Sequence, residues 1–156
     1  MEENLGTVER LSERMQAIPW AAFQTAYGPA VAVPDQLLRL AGQDEKAALA
    51  ASHDLWCALC QHVYAAPAAV PALPFILEVL NSASEKLTIE ILDILLGCVR
   101  CTLPDESAKP AWLAELRIGV ASERPRLELL SAHTNSELAE LACDLLMELD
   151  SPQRDQ

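Results

Sequence analysis

Apolar residues recur at spacings of three and four along most of this chain, the period of helices that bury one face. Leu5, Val8, Leu11 and Met15 predict an N-terminal helix that Pro19 ends. Trp20 to Val33, with Tyr27-Gly28-Pro29 inside it, reads as a connector whose Trp20, Phe23 and Tyr27 cap one end of the core. A short helix then opens at Pro34, with Leu37, Leu38 and Ala41 buried and Gly42 as its C-terminal glycine. Asp44 N-caps a longer helix from Glu45 to about Tyr64, striped by Leu49, Ser52, Trp56, Leu59 and Val63.

The arrangement then repeats. Pro74 opens a second short helix, Asn81-Ser82-Ala83 breaks it, and Ser84 caps a helix to about Cys101 with Leu87, Ile91, Ile94, Leu95 and Val99 buried. Pro34 to Pro74, Leu40 to Leu80 and Glu45-Lys46 to Glu85-Lys86 are each separated by 40 residues. A third unit is longer. Ser107 caps a helix through Trp112, Leu113, Leu116 and Val120, Pro125 breaks it, and Leu127 to Leu130 resume it. Thr134 or Asn135 caps the last helix, Ser136 to Leu149, striped by Leu138, Leu141, Ala142, Leu145 and Leu146. Two helices per unit at this period predict an all-α fold: a short α-solenoid of HEAT-like antiparallel helix pairs behind an N-terminal capping helix. Residues 1–150 form a single domain, residues 151–156 a frayed tail, and no strands are expected.

Composition supports this picture. The chain of 156 residues is 51% hydrophobic but only 4% aromatic, so the core is built of Leu, Ala, Val and Ile. Lys plus Arg number 11 against 23 Asp plus Glu, a net charge of −12. No block of five basic residues exists to neutralise phosphates, so a nucleic-acid partner is not expected. An acidic chain attracts a basic partner instead. No window resembles a membrane span, and the acidic start Met1-Glu2-Glu3-Asn4 is unlike a secretory signal. The odd count of five cysteines fits a reducing cytoplasm.

Candidate chemistry is sparse. Cys57-Ala58-Leu59-Cys60 and Cys98-Val99-Arg100-Cys101 are two C-x-x-C pairs in neighbouring units, able in principle to hold zinc with four thiolates. Their 37-residue separation exceeds ordinary zinc-ribbon spacing, and both lie in helical runs without a glycine-rich knuckle. Small, reduced core cysteines are the simpler expectation. His53, His62 and His133 are scattered, none beside a nucleophile motif, and no phosphate loop is present. No catalytic residue, cofactor or metal is therefore assigned. The carboxylates are more informative. Glu137, Glu140, Asp144 and Glu148 run at spacings of three, four and four along the last helix, with no Lys or Arg between Arg126 and Arg154. Glu90 and Asp93 stand on the second helix of the second unit and Asp54 on that of the first. Stacked pairs would bring these second helices to one face, so these seven residues are the candidate partner-binding surface.

Tyr27-Gly28-Pro29-Ala30, Val33-Pro34, Leu55-Trp56, Gln61-His62-Val63-Tyr64-Ala65 and Ala69-Val70-Pro71-Ala72-Leu73-Pro74-Phe75-Ile76 together resemble a bacterial family of small HEAT-like proteins. The resemblance covers about residues 20–80, and Cys60 and His62 depart from the pattern. Members of that family are often encoded beside polymorphic toxins or secreted effectors. The resemblance implies an immunity protein that binds a cognate toxin, as a monomer or a 1:1 heterodimer with it. A HEAT-repeat scaffold unconnected with toxins is the alternative, and a HEAT-like enzyme of the zinc or bilin-lyase kind the third.

Overall fold

The computed structural model describes residues 10–60, 65–101 and 111–150. Among the described residues the regular structure is helical, apart from one two-residue antiparallel pair. Helix α1 covers residues 10–16, with Leu11 and Met15 buried as expected. A 3-10 turn at Trp20–Ala22 follows, and the Trp20 indole donates to the Met15 carbonyl (2.8 Å). Strands β1 (Gln24–Thr25) and β2 (Gly28–Pro29) pair around a turn that the sequence pattern did not foresee. Two residues per strand leave no room for alternation, so no periodic signal exists to read. The turn needs Gly28, whose φ of +118° is a region closed to most side chains. Tyr27, expected to cap one end of the core, is 71% exposed at this turn. Its neighbour Ala26 donates to the Ala58 carbonyl (2.9 Å) and so lays the turn across the next helices.

The remaining helices are α2 (Val33–Ala41), α3 (Glu45–Leu59), α4 (Ala69–Val79), α5 (Glu85–Cys101), α6 (Ala111–Ala121), α7 (Arg124–Leu130) and α8 (Ser136–Asp150). The predicted caps form. Asp44 accepts from the Ala47 N–H (3.2 Å), and Ser84 from the Leu87 N–H (3.2 Å). Of the two candidates in the last break, Asn135 is the cap, accepting from the Glu137 and Leu138 N–H groups. Each satisfies donors that the first turn of a helix leaves without partners.

Several expectations are corrected. Pro74 does not open α4 but lies inside it, because the helix starts at Ala69. Pro74 is exposed, so the turn it distorts faces water and not the core. Gly42 does close α2, yet with φ −75° and ψ 173° it is extended, not left-handed. The buried face of α2 includes Leu40, while Leu38 and Ala41 sit at its edge. The stripe of α3 is turned relative to the expectation. Ala48, Ala51, Ser52, Leu55, Ala58 and Leu59 are buried, and Leu49 and Trp56 flank them. The reason is that α3 packs on both α2 and α5, so a wider arc is covered and small alanines let the neighbours approach. Expected features at Leu5, Val8, Val63, Tyr64, Ser107 and residues 151–156 lie outside the described residues.

The helices form two layers. α2 packs on α4 and α4 on α6, while α3 packs on α5 and α5 on α8. The layers join through α2 with α3, α5 with α6, and α7 with α8. Helix α5 is central: Ile91, Leu92, Ile94, Leu95, Leu96 and Val99 are all buried. Two glycines mark the closest approaches. A Cβ on Gly97 of α5 would stand 3.1 Å from the Cys60 sulfur, and one on Gly119 of α6 would stand 2.5 Å from a methyl of Leu73 in α4. Arg117 of α6 reaches the end of α8, donating to the carbonyls of Glu148 (2.6 Å) and Leu149 (3.2 Å). That places a cation at the negative end of a helix. Among the described residues no helix is long and apolar enough to cross a membrane.

Candidate protein interface

The second layer sets the site. Leu138, Ala142 and Leu145 hold α8 against α5, and Leu87, Ile91, Leu95 and Val99 hold α5 in the core. Burying those stripes forces the polar stripes outward, side by side. Glu90 and Asp93 of α5 and Glu137, Glu140 and Asp144 of α8 are all exposed. With half-buried Ile89 and Leu141 they line one groove of about 270 Å³. The register of the two helices is pinned at the start of α8. Asn135 donates to the Glu85 carboxylate (3.0 Å), and His133 lies 3.9 Å from the same group.

A smaller depression of about 170 Å³ continues the groove toward α3. Glu90 and Asp93 form its far wall and Ser52, His53 and Trp56 its near wall. The His53 and Trp56 rings stack, with centroids 6.5 Å apart and planes 17° from parallel. Ser52 is buried and donates to the Leu49 carbonyl (2.6 Å), which leaves the two rings to face the groove.

The electrostatics of the groove are unbalanced. Arg14, Arg39, Arg100, Arg124 and Arg126 are engaged with Glu78, Asp35, Glu148, Asp150 and Glu123. Among the described residues, none of the five groove carboxylates makes an ion pair. Glu90 records the consequence: its pKa is raised, first by desolvation, then by the charges of Asp93 and Glu137. His53 acts on it in the opposite sense. Like charges gathered at low hydration disfavour ionisation, and an incoming cation relieves both effects.

Five of the seven residues expected at the surface, namely Glu90, Asp93, Glu137, Glu140 and Asp144, thus share one groove. Two do not. Glu148 is turned toward Arg100 (3.6 Å), its side chain only 23% exposed. Asp54 is exposed on α3 but outside the groove, and its charge acts on Tyr27. In return the groove contains His53 and Trp56, which were not among the expected contacts. Trp56 was expected in the core, and it is both packed on the core and part of the groove wall. The repeat itself carried a signal for His53, since 40 residues on from it stands Asp93.

The cysteines take separate environments. Cys60 is buried and its thiol donates to the Ile94 carbonyl (3.5 Å), and Cys98 is buried as well. Cys57 instead lies at the surface beside His53, and Cys143 is exposed. The side chain of Cys101 lies outside the described residues. Among the described residues no group of three or more His, Cys, Asp or Glu is arranged to hold a metal ion. Tyr27 lies near Cys57: its pKa is raised first by local desolvation, then by its interaction with Cys57 and the charge of Asp54. A larger depression, about 460 Å³, lies between the α2–α3 and α4–α5 breaks and is lined by Leu40, Gly42, Glu45, Val79, Ser84 and Leu87 among others. It gathers no comparable set of charges.

Comparison with protein-family models, with curated proteins and with solved structures finds no match.

Proposed function

We propose that this chain is a non-catalytic protein-binding module, a HEAT-like solenoid that binds and neutralises a cognate bacterial toxin in the cytoplasm. The observation that supports it is the groove between α5 and α8, where Glu90, Asp93, Glu137, Glu140 and Asp144 converge without a cation among the described residues. A basic partner supplies that cation. A toxin that acts on nucleic acid or another polyanion carries a basic face, so an acidic inhibitor blocks the surface its substrate uses. Trp56 gives the groove an aromatic wall, the residue type that dominates interface energetics. The immunity role itself rests on the resemblance at residues 20–80. The complex is 1:1.

The test is coexpression with the products of adjacent genes, followed by affinity measurement on any complex formed. Charge reversal at Glu140→Lys and Asp144→Lys leaves folding within about 0.5 kcal/mol, because both side chains are exposed. It weakens binding and flattens its salt dependence. Unchanged affinity at low and high salt removes the groove from the interface. No complex and no protection with any neighbouring product removes the immunity reading and leaves the scaffold.

A further inference from the structure

Helix α3 carries a second constellation, which shares His53 with the groove wall. His53 and Cys57 are four residues apart, one turn along the same helical face. The His53 Nε2 atom lies 3.7 Å from the Cys57 sulfur. His53 is exposed and Cys57 half-buried, so both are open to solvent. The imidazole is braced by its stack on Trp56, and Cys57 has the Tyr27 turn beside it. The turn that carries Tyr27 is itself fixed on α3 by the Ala26 N–H bond to the Ala58 carbonyl.

That separation has a chemical meaning. A tetrahedral zinc ion with a Zn–N bond of about 2.05 Å and a Zn–S bond of about 2.3 Å holds the two donor atoms roughly 3.6 Å apart. The His53–Cys57 pair already stands at this bite, with no change of helix geometry required. An ordinary thiol–imidazole hydrogen bond accounts for the contact as well, but the surroundings favour a cation. Glu90 and Asp93 line the same depression as His53, so carboxylates face the imidazole across it.

We propose that His53 and Cys57 form a two-ligand surface site for a borderline-soft divalent metal of the zinc class. The metal bonds to Nε2 of the neutral imidazole and to the thiolate sulfur. The thiol proton passes to solvent or buffer as the metal–sulfur bond forms, so no oxidant or reductant is needed. Water fills the remaining positions. With only two protein ligands the site is exchangeable and does not hold the fold together. It is separate from the buried Cys60 and Cys98, and it stands whether or not the chain binds a toxin.

The experiment is titration of the full, reduced, metal-free chain with cobalt(II), read by thiolate-to-cobalt absorption in the near ultraviolet, with zinc added back to displace it. One equivalent binds and zinc abolishes the band. His53→Ala weakens cobalt affinity by roughly tenfold or more, the scale on which ligand-set changes act, and Cys57→Ser removes the thiolate band. Cys143→Ser, at the exposed cysteine of α8, changes neither. Circular dichroism reports whether each variant keeps its helix content, as surface changes on α3 predict. Absence of a thiolate band in the wild-type chain overturns the proposal. So does a band that persists at full strength and affinity in either His53→Ala or Cys57→Ser.

Discussion

Gly119 tests the packing of α4 on α6 directly. In a helix interior, alanine is favoured over glycine by about 1 kcal/mol, so Gly119→Ala should stabilise an isolated α6. In the folded chain the new methyl would stand 2.5 Å from the Leu73 Cδ2 atom, where carbon atoms in contact need about 3.5–4.0 Å. Leu73 must retreat by about 1 Å, yet it is only 5% exposed and has little room. Overpacking of this kind costs about 1–3 kcal/mol. The net expectation is a loss of about 1 kcal/mol, or about 2–4 °C in Tm for a chain of this size. A double-mutant cycle makes the test specific. Leu73→Ala alone costs about 2–5 kcal/mol. Combined with Gly119→Ala it should cost less than the sum by about 1 kcal/mol, because the added methyl enters the vacated space. Urea denaturation of the four proteins measures both quantities. A Gly119→Ala variant that gains the whole helix-propensity increment, with additive behaviour in the cycle, would refute the close approach of α4 and α6.

Two further outcomes follow from the charges. The raised pKa of Glu90 means that the native state holds this proton more tightly than the unfolded chain, whose Glu titrates near 4.5. Its ionisation therefore destabilises the fold at neutral pH, and the effect fades as pH falls through the raised folded pKa toward 4.5. Glu90→Gln should be more stable than wild type at pH 7 by a small margin that closes on acidification, and parallel stability–pH curves would contradict this. Arg117→Met removes two charge-assisted bonds to the last turn of α8 and should cost about 2 kcal/mol, with faster amide exchange confined first to that turn. Unchanged exchange there would show that α8 does not depend on the clamp.

The local features of this fold were legible because local chemistry makes them. Asp44, Ser84 and Asn135 cap their helices through atoms three residues away or fewer. The period of 40 survives in the starts of α3 and α5, at Glu45 and Glu85. The acidic face of α8 is visible in the sequence, since Glu137, Glu140 and Asp144 recur at helical spacing outside its Leu stripe. Tertiary packing decided the rest. The extra proline-containing turns of α4 tolerate Pro74 because that side of the helix meets water, a fact no spacing records. Trp56 became a groove wall because α5 covers one side of α3 and α2 the other, which rotated the buried arc onto Leu55 and its flanking alanines. Glu148 left the acidic surface because Arg100 reaches it from the neighbouring helix. Periodicity says that a helix has two faces. It does not say which neighbour each face will meet, because that follows from how all the helices share one core. Glu90 and Glu137, distant in sequence, feel each other's charge only once α5 and α8 are packed side by side.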